Sequence, residues 1–355
     1  MGGLVRLVAT LALVACGGDK NPAIDAAVTP DVDAVVDALT PDGNPLTPET
    51  LAGTGLCTNA ACTTFAADVL EYEPRFQLWS DTASKRRWIS LPAGTTIDTT
   101  DMDYWKFPVG TKLWKEFTRD GVRVETRYIV KLLADDDAVG AWFYTTYQWN
   151  AAQNATTEVD IAGVMNANGT NHDIPQRTDC RECHEALVPS RVLGVGAISL
   201  DYTPANSALL DLEDLITTGK LSAPPTAGTA GARFPLPGTD VDRTALGYLH
   251  ANCGHCHNPT STNFGTTPVD YRLRVGTLAT VAGTPAYASS VNVNGSPVTE
   301  NGTTYTKIVI PGQPQNSIMM IRFLSSLAVR KMPQRGSEMA DPDGQAALTA
   351  WINAL

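Results

Sequence analysis

The chain has 355 residues, 43% hydrophobic and 18% charged, with seven tryptophans, enough apolar material for two cores. Its formal charge of −11 and pI near 4.9 exclude an ordinary nucleic-acid binder, because phosphate neutralisation needs clustered Lys and Arg. An acidic surface suits basic or neutral partners.

The first stretch, "MGGLVRLVATLALVACGGD", has one positive charge at Arg6, an apolar run from Leu7 to Ala15 and then Cys16. The run is too short to span a bilayer and reads as an export signal over residues 1–15. Its "LVAC" ending resembles the lipobox of bacterial lipoproteins, which implies acylation of Cys16, a membrane anchor and, with Gly17 next, the outer membrane. Residues 16–50 are Asp-, Ala-, Pro- and Thr-rich without an aromatic side chain. Such a stretch has too little apolar surface to offset its ordering entropy and reads as an acidic tether.

Residues 51–165 switch to short aromatic and β-branched runs separated by turns: "FQLWS", "KRRWISL", "YWKFPVGTKLWKEF", "VRVETRYIVKLL", "AWFYTTYQWN". In the fourth, Val122, Val124, Thr126, Tyr128 and Val130 alternate with Arg123, Glu125, Arg127 and Lys131, the period of a strand. The reading is an antiparallel β-sandwich-like domain with Trp105, Trp114, Trp142 and Trp149 in its core. Cys57 and Cys62, close together in an exported chain, read as a local disulfide.

Residues 166–238 hold "TDCRECHEAL", a helix with Asn206 or Ser207 as cap, Leu209, Leu212, Leu215 and Ile216 on one face and Gly219 as stop, and the linker "SAPPTAGTAGARFPLPG". Residues 239–355 hold "HANCGHCHNP", an irregular insertion over about 258–308 with the hairpin signal "VNVNGSPVTENGTTYTKIVI", and a last helix. That helix takes Asp341 as cap, Pro342 at its first position and Leu348, Trp351, Ile352 and Leu355 on one face.

Cys180, Cys183 and His184, and again Cys253, Cys256 and His257, are CxxCH, the attachment pattern of c-type haem. The thiols add across the two porphyrin vinyls and the adjoining imidazole is delivered to the iron. With seven cysteines and five histidines, random placement yields on the order of 0.002 such patterns per chain. The reading is therefore two covalently attached haems. The competitor is zinc held by the two CxxC pairs, disfavoured by the seventy residues between them and by the identical trailing histidine.

For the distal ligand of the second haem, Met332 in the polar "VRKMPQRGSE" is the candidate, with Met339 behind it; Met319 and Met320 sit in an apolar helical run where methionine fills core space. For the first haem His172, Met165 and His250 stand open, and His250 and His255 have an equal reading as surface or propionate-contacting residues. Asp135–Asp137 and Asp341 with Asp343 read as a turn and a cap rather than calcium ligands.

The helix "DRTALGYLHANC" leading into CxxCH, the "PGQPQNS" segment, the "KMPQ" loop and the closing "LTAWINAL" resemble a class I cytochrome c domain. That resemblance implies thioethers at Cys253 and Cys256, His257 as proximal ligand and Met332 as distal ligand. "LWSDTASKRRWISLP", "WKFPVGTKLWKEF", "ETRYIV" and "YQWNAA" extend it, over about residues 72–355, to a family of exported bacterial dihaem c-type cytochromes of poorly defined function. The expected fold class is thus multidomain α+β, an N-terminal antiparallel sandwich followed by a mostly α-helical class I cytochrome c-like domain. The expected role is electron transfer with redox partner proteins of the cell envelope, with no nucleic acid. The alternatives are a peroxidase-like enzyme with an open first haem, and a binding module in which the β domain docks a partner and the haems relay electrons.

Overall fold

The computed structural model describes residues 46–187 and 192–355; the leader over 1–15, Cys16 and the tether up to residue 45 lie outside the described residues. Six strands follow one another: β1 (Leu70–Glu71), β2 (Ser84–Ser90), β3 (Lys112–Arg119), β4 (Val122–Lys131), β5 (Trp142–Trp149) and β6 (Thr156–Glu158). Each pairs antiparallel with the next, so sheet order equals chain order. Asp120 and Gly121, both at positive φ (52° and 79°), make the tight β3–β4 turn, whose twist matches that of the flanking strands.

The alternation along these strands produces two apolar faces. One carries Trp88, Trp114, Tyr128, Val130, Phe143, Tyr147 and Trp149 and is covered by Leu51, Leu56 and the Cys57–Cys62 disulfide. Tyr128 and Tyr147 donate their hydroxyls to the carbonyls of Leu46 and Pro48, so the chain just before residue 50 is fastened to the sheet. The other face carries Ile89, Leu113, Trp142 and Tyr144 and packs with Trp105 against Val192, Val195, Leu200, Leu210, Leu212, Leu215 and Leu221.

The expected sandwich is therefore corrected. Among the described residues the only other sheet is a two-stranded one far along the chain, and irregular and helical segments supply both covering layers. Alternation shows that a strand buries one face; it carries no information on what covers that face, nor on whether the other is covered too.

Four helices come before or within the covering segments: α1 (Arg177–His184), α2 (Ala197–Leu200), α3 (Leu212–Thr217) and α4 (Asp240–Asn252). The cap expected at Asn206 or Ser207 is instead Asp211, whose carboxylate accepts from the Asp214 N–H while Asp214 answers at the Asp211 N–H, a complete capping box. Asn206 is spent on a local turn, accepting from the Ala208 N–H.

The expected mostly helical class I cytochrome c-like domain at the C-terminus is also corrected. From residue 239 onward the chain has two helices of thirteen residues, α4 and α7 (Pro342–Ala354), two of six, α5 (Pro285–Ser290) and α6 (Ile318–Phe323), and the hairpin β7 (Asn294–Glu300) and β8 (Thr303–Lys307). The rest is short 3-10 turns and irregular chain. The physical reason lies in the Gly-, Pro- and Thr-rich chain between α4 and α6, which pairs through hairpins and turns more readily than it winds.

What α4 and α7 do share is a core. Ala245, Leu246 and Leu249 pack against Leu348, Trp351 and Ile352, with Met320 and Phe323 of α6 closing it. Phe76, from the segment before β2, joins the same cluster. A Cβ on Gly247 would stand 2.2 Å from its ring. Gly247→Ala is expected to destabilise by about 1–3 kcal/mol, although alanine gains about 1 kcal/mol of helix propensity. An unchanged urea midpoint would show that Phe76 yields freely.

Candidate functional site

The first CxxCH forms the second half of α1. Its three-residue spacing puts Cys180 and Cys183 on one helical face, with His184 at the last helical position. α1 packs beside β5 where β6, which pairs only with Tyr147–Trp149, leaves the sheet edge open. The Arg177 guanidinium sits 5.6 Å from the Phe143 ring centroid and the His184 ring 5.5 Å from Tyr144. Cys180 packs against the core beneath, and burial pushes its thiol up to about 11.

The second CxxCH begins where α4 ends. Thr239 and Asp242 form a capping box at the start of that helix, and Cys253 is its C-cap. The chain then turns sharply, with the Cys256 and His257 N–H groups donating to the Cys253 carbonyl at 3.1 and 2.8 Å. Gly254 is required there, since a Cβ would lie 2.8 Å from the His250 carbonyl oxygen and 3.0 Å from Arg272 Cα. Cys253 packs on the α4–α7 core and burial pushes its thiol up to about 12. The His257 ring stands edge-on to Tyr271 at 5.6 Å, and its Nδ1 is buried with no hydrogen-bond partner among the described residues. Burial, then the charges of His255 and Arg322, hold this imidazole neutral, down to about 4.

The two motifs meet. Cys183 Sγ, Cys256 Sγ and a ring nitrogen of His255 lie within 4.8 Å of one another, and Cys256 Sγ approaches the Glu182 carbonyl at 3.8 Å. The contact is supported from behind by the fully buried Asn258. Its amide donates to the Gly254 and His255 carbonyls at 3.0 Å and reaches the Ala186 carbonyl at 3.5 Å, while Thr260 donates to that same carbonyl at 3.1 Å. The Cys256 thiol hydrogen bond and the neighbouring His255 lower the Cys183 pKa against the effect of burial; that of Cys256 rises correspondingly.

The Met332 loop closes over this junction. The Met332 N–H donates to the Arg322 carbonyl at 3.0 Å, and Arg322 is the residue whose charge reaches His257. Arg335, three residues on, pairs with Glu182 at 3.0 Å and with Asp179 at 3.9 Å on α1. The loop that follows the second motif is thereby tied to the helix of the first. Met339 is 46% exposed and Met165 71% exposed, whereas Met320 is buried in the core.

Asp81 fastens the far end of the loop. It accepts from Ser337 Oγ (3.1 Å), the Glu338 N–H (2.8 Å), the Met339 N–H (3.2 Å) and Trp79 Nε1 (3.2 Å). The Trp79 N–H in turn donates to Asn252 at the end of α4 at 2.7 Å. No role for Asp81, Trp79, Asn252 or Asn258 is legible in the sequence, because the contacts by which they join distant segments span 72 to 260 residues. Asp81→Ala is expected to cost about 2 kcal/mol and to speed proteolysis between residues 330 and 340; an unchanged cleavage rate would show that Arg335 alone holds the loop.

The histidines left open by the sequence take distinct places. His250 Nδ1 accepts from the Leu273 N–H at 3.1 Å, and burial, then the Arg272 charge, hold it neutral, down to about 3; it is built into the scaffold. His172 is buried beneath β4, its Nε2 2.7 Å from Glu125 Oε1 and its ring 5.3 Å from Phe117. Cys57 and Cys62 are joined in a disulfide within the core on the opposite face of the sheet.

The residues fit c-type haem. Each motif has its two thiols one turn apart with the histidine directly after, and among the described residues all four cysteines lack a disulfide partner and His257 keeps a buried orphan nitrogen of the kind that costs free energy unless engaged. Cys180, Cys183 and His184 would hold one group, and Cys253, Cys256 and His257 the other. Bound there, haem supplies an iron that gains and loses single electrons. Comparison with protein-family models, curated proteins and solved structures found no match. Among the described residues no helix is long and apolar enough to cross a membrane.

Proposed function

We propose that this chain is an exported dihaem c-type cytochrome that passes single electrons between partner proteins of the cell envelope, held to the outer membrane by a lipid on Cys16. The carrying observation is the contact between the two CxxCH segments, with Cys183, His255 and Cys256 gathered within 4.8 Å. Groups attached to two touching segments exchange electrons without rearrangement of the chain, and the fold that creates the contact uses residues from all along it. Met332 would complete the second iron, since its loop is fastened beside Arg322 and across α1. The resemblance to exported dihaem cytochromes supports the same reading on its motifs, without the class I fold.

A peroxidase-like reading draws on one observation. Glu125 engages His172 Nε2, so His172 reaches the first iron only if that hydrogen bond breaks, and an open first iron would bind small ligands. A zinc reading draws on the same Cys183–His255–Cys256 group, three donors of the types zinc takes. One set of measurements separates the three. Protein matured in a periplasm should show two haems per chain by alkaline pyridine haemochrome and intact mass. A carbon monoxide shift confined to one reduced haem would favour the enzyme, and no haem with bound zinc would overturn the cytochrome.

A further inference from the structure

The sheet face beneath α1 concentrates positive charge in a protein that has 26 Lys and Arg against 37 Asp and Glu. In register, Arg87 of β2 stands directly opposite Lys115 of β3, and Lys115 directly opposite Arg127 of β4. Directly paired residues of an antiparallel sheet point to the same face, so three cations form one row across three strands. Lys85 lies two residues along β2 from Arg87, on the same face, and joins their field. The carboxylate nearest the centre of the row is Glu125, and it is committed: Arg127 grips both its oxygens, at 2.7 and 3.0 Å, and His172 takes a second contact at 2.7 Å, while Glu73 and Asp341 reach only the β2 end, at Arg87 and Lys85.

Lys115 is the exception in the row. Arg87 has the Gln77 amide oxygen at 2.8 Å, and Lys85 has Ser80 Oγ at 2.8 Å and the Leu78 carbonyl. Lys115 makes no ion pair or hydrogen bond among the described residues; its ammonium rests 4.8 Å from the Phe117 ring centroid, which Arg127 shares at 4.4 Å. Like charges directly opposite in a sheet are destabilising, and the half-buried Lys115 has a cation directly opposite on either side. Burial and the neighbouring cations push the Lys115 ammonium well below its usual range. The row also lies beside the first motif, because Arg127 pairs with Thr146 of β5, two residues along the same face from Tyr144, against whose ring His184 packs at 5.5 Å.

We propose that Arg87, Lys115 and Arg127 form a carboxylate-binding site beside the first CxxCH. This rests on the haem reading in one respect: the carboxylates come either from the propionates of the haem on Cys180 and Cys183 or from a small free organic acid. A carboxylate placed on Lys115 supplies the anion that the row lacks, as charge-assisted hydrogen bonding favours.

The test compares the full holoprotein with Lys115→Met and the charge-keeping Lys115→Arg, using spectroelectrochemical titration and calorimetry with succinate at low salt. If propionates fill the site, Lys115→Met lowers the midpoint potential of one haem and leaves the other, Lys115→Arg restores it, and succinate is without effect. If a free acid fills it, wild type binds one succinate per chain and Lys115→Met binds it at least about tenfold more weakly. Unchanged potentials together with no succinate binding overturn the site. Absence of haem would sink the cytochrome reading separately, and the succinate isotherm of the haem-free chain would then decide the site alone: Lys115-dependent saturation supports it, a flat trace overturns it.

Discussion

A chain carrying Cys253→Ala with Cys256→Ala is expected to leave the periplasm with one covalent haem instead of two, and Cys180→Ala with Cys183→Ala to do the same for the other motif. Each thioether is a covalent bond made at one cysteine, so removing both thiols of a motif abolishes attachment there rather than weakening it. Intact mass should fall by one haem in each double variant and by two when all four cysteines are changed, read against the haemochrome absorbance. Because the Cys256 sulfur touches α1 through the Glu182 carbonyl, the spectrum of the surviving haem should also shift relative to its share of the wild-type spectrum. A double variant that kept the wild-type mass would make that motif structural and end the relay.

Glu125→Ala is expected to be the most damaging single substitution on the sheet, at about 3–5 kcal/mol by urea unfolding. Glu125 is fully buried, bonded to Arg127 through both oxygens and to His172. Its removal leaves Arg127 and Lys115 adjacent on paired strands with no anion between them. The exposed pair Arg86–Glu71, with 49% and 29% of those side chains accessible, is the contrast: Glu71→Ala should cost under about 1 kcal/mol. Equal losses at the two positions would mean that Glu125 is as well solvated as Glu71.

The same residue sets an acid limit. Burial alone would raise the Glu125 pKa, but Arg127 and the His172 contact outweigh it and hold the carboxyl below its ordinary 4.5. A pKa depressed on folding contributes stability that is present above the unfolded value and lost as pH falls through the folded one. The stability of wild type should therefore drop below pH 4.5, and Glu125→Gln should flatten that part of the profile. A variant as acid-sensitive as wild type there would move the cause to another carboxylate.

Much of the local structure is readable from neighbouring residues. The Pro342 helix with its Asp341 cap, the Asn301–Gly302 turn at positive φ (49° and 79°) between β7 and β8, and the long strands around Trp88, Trp114, Tyr128 and Trp149 all follow from spacings of a few residues. The helix before Gly219 starts later than the sequence suggests because Asn206 and Asp211 are both good caps, and only the reciprocal bond with Asp214 selects the second. The sandwich expectation departs from the structure for a different reason: strand alternation announces a buried face but not its cover, and residues 46–69 and 192–221 cover the two faces of the sheet without forming a second one. The class I domain failed because its motifs sit at the ends of a segment whose interior is mostly hairpin and turn.

By itself the sequence determined that the chain carries two CxxCH units, since two cysteines separated by two residues with a histidine following are a purely local pattern. It also determined the acidic character and which helices and longer strands form, since those depend on period and capping. Only the tertiary structure decided that Cys183 meets Cys256, that Asp81 holds the Met332 loop, and that Arg87, Lys115 and Arg127 share one row. Those contacts join positions far apart in the chain, and they arise from strand register and from the burial of separate cores, quantities that no spacing along a single segment records.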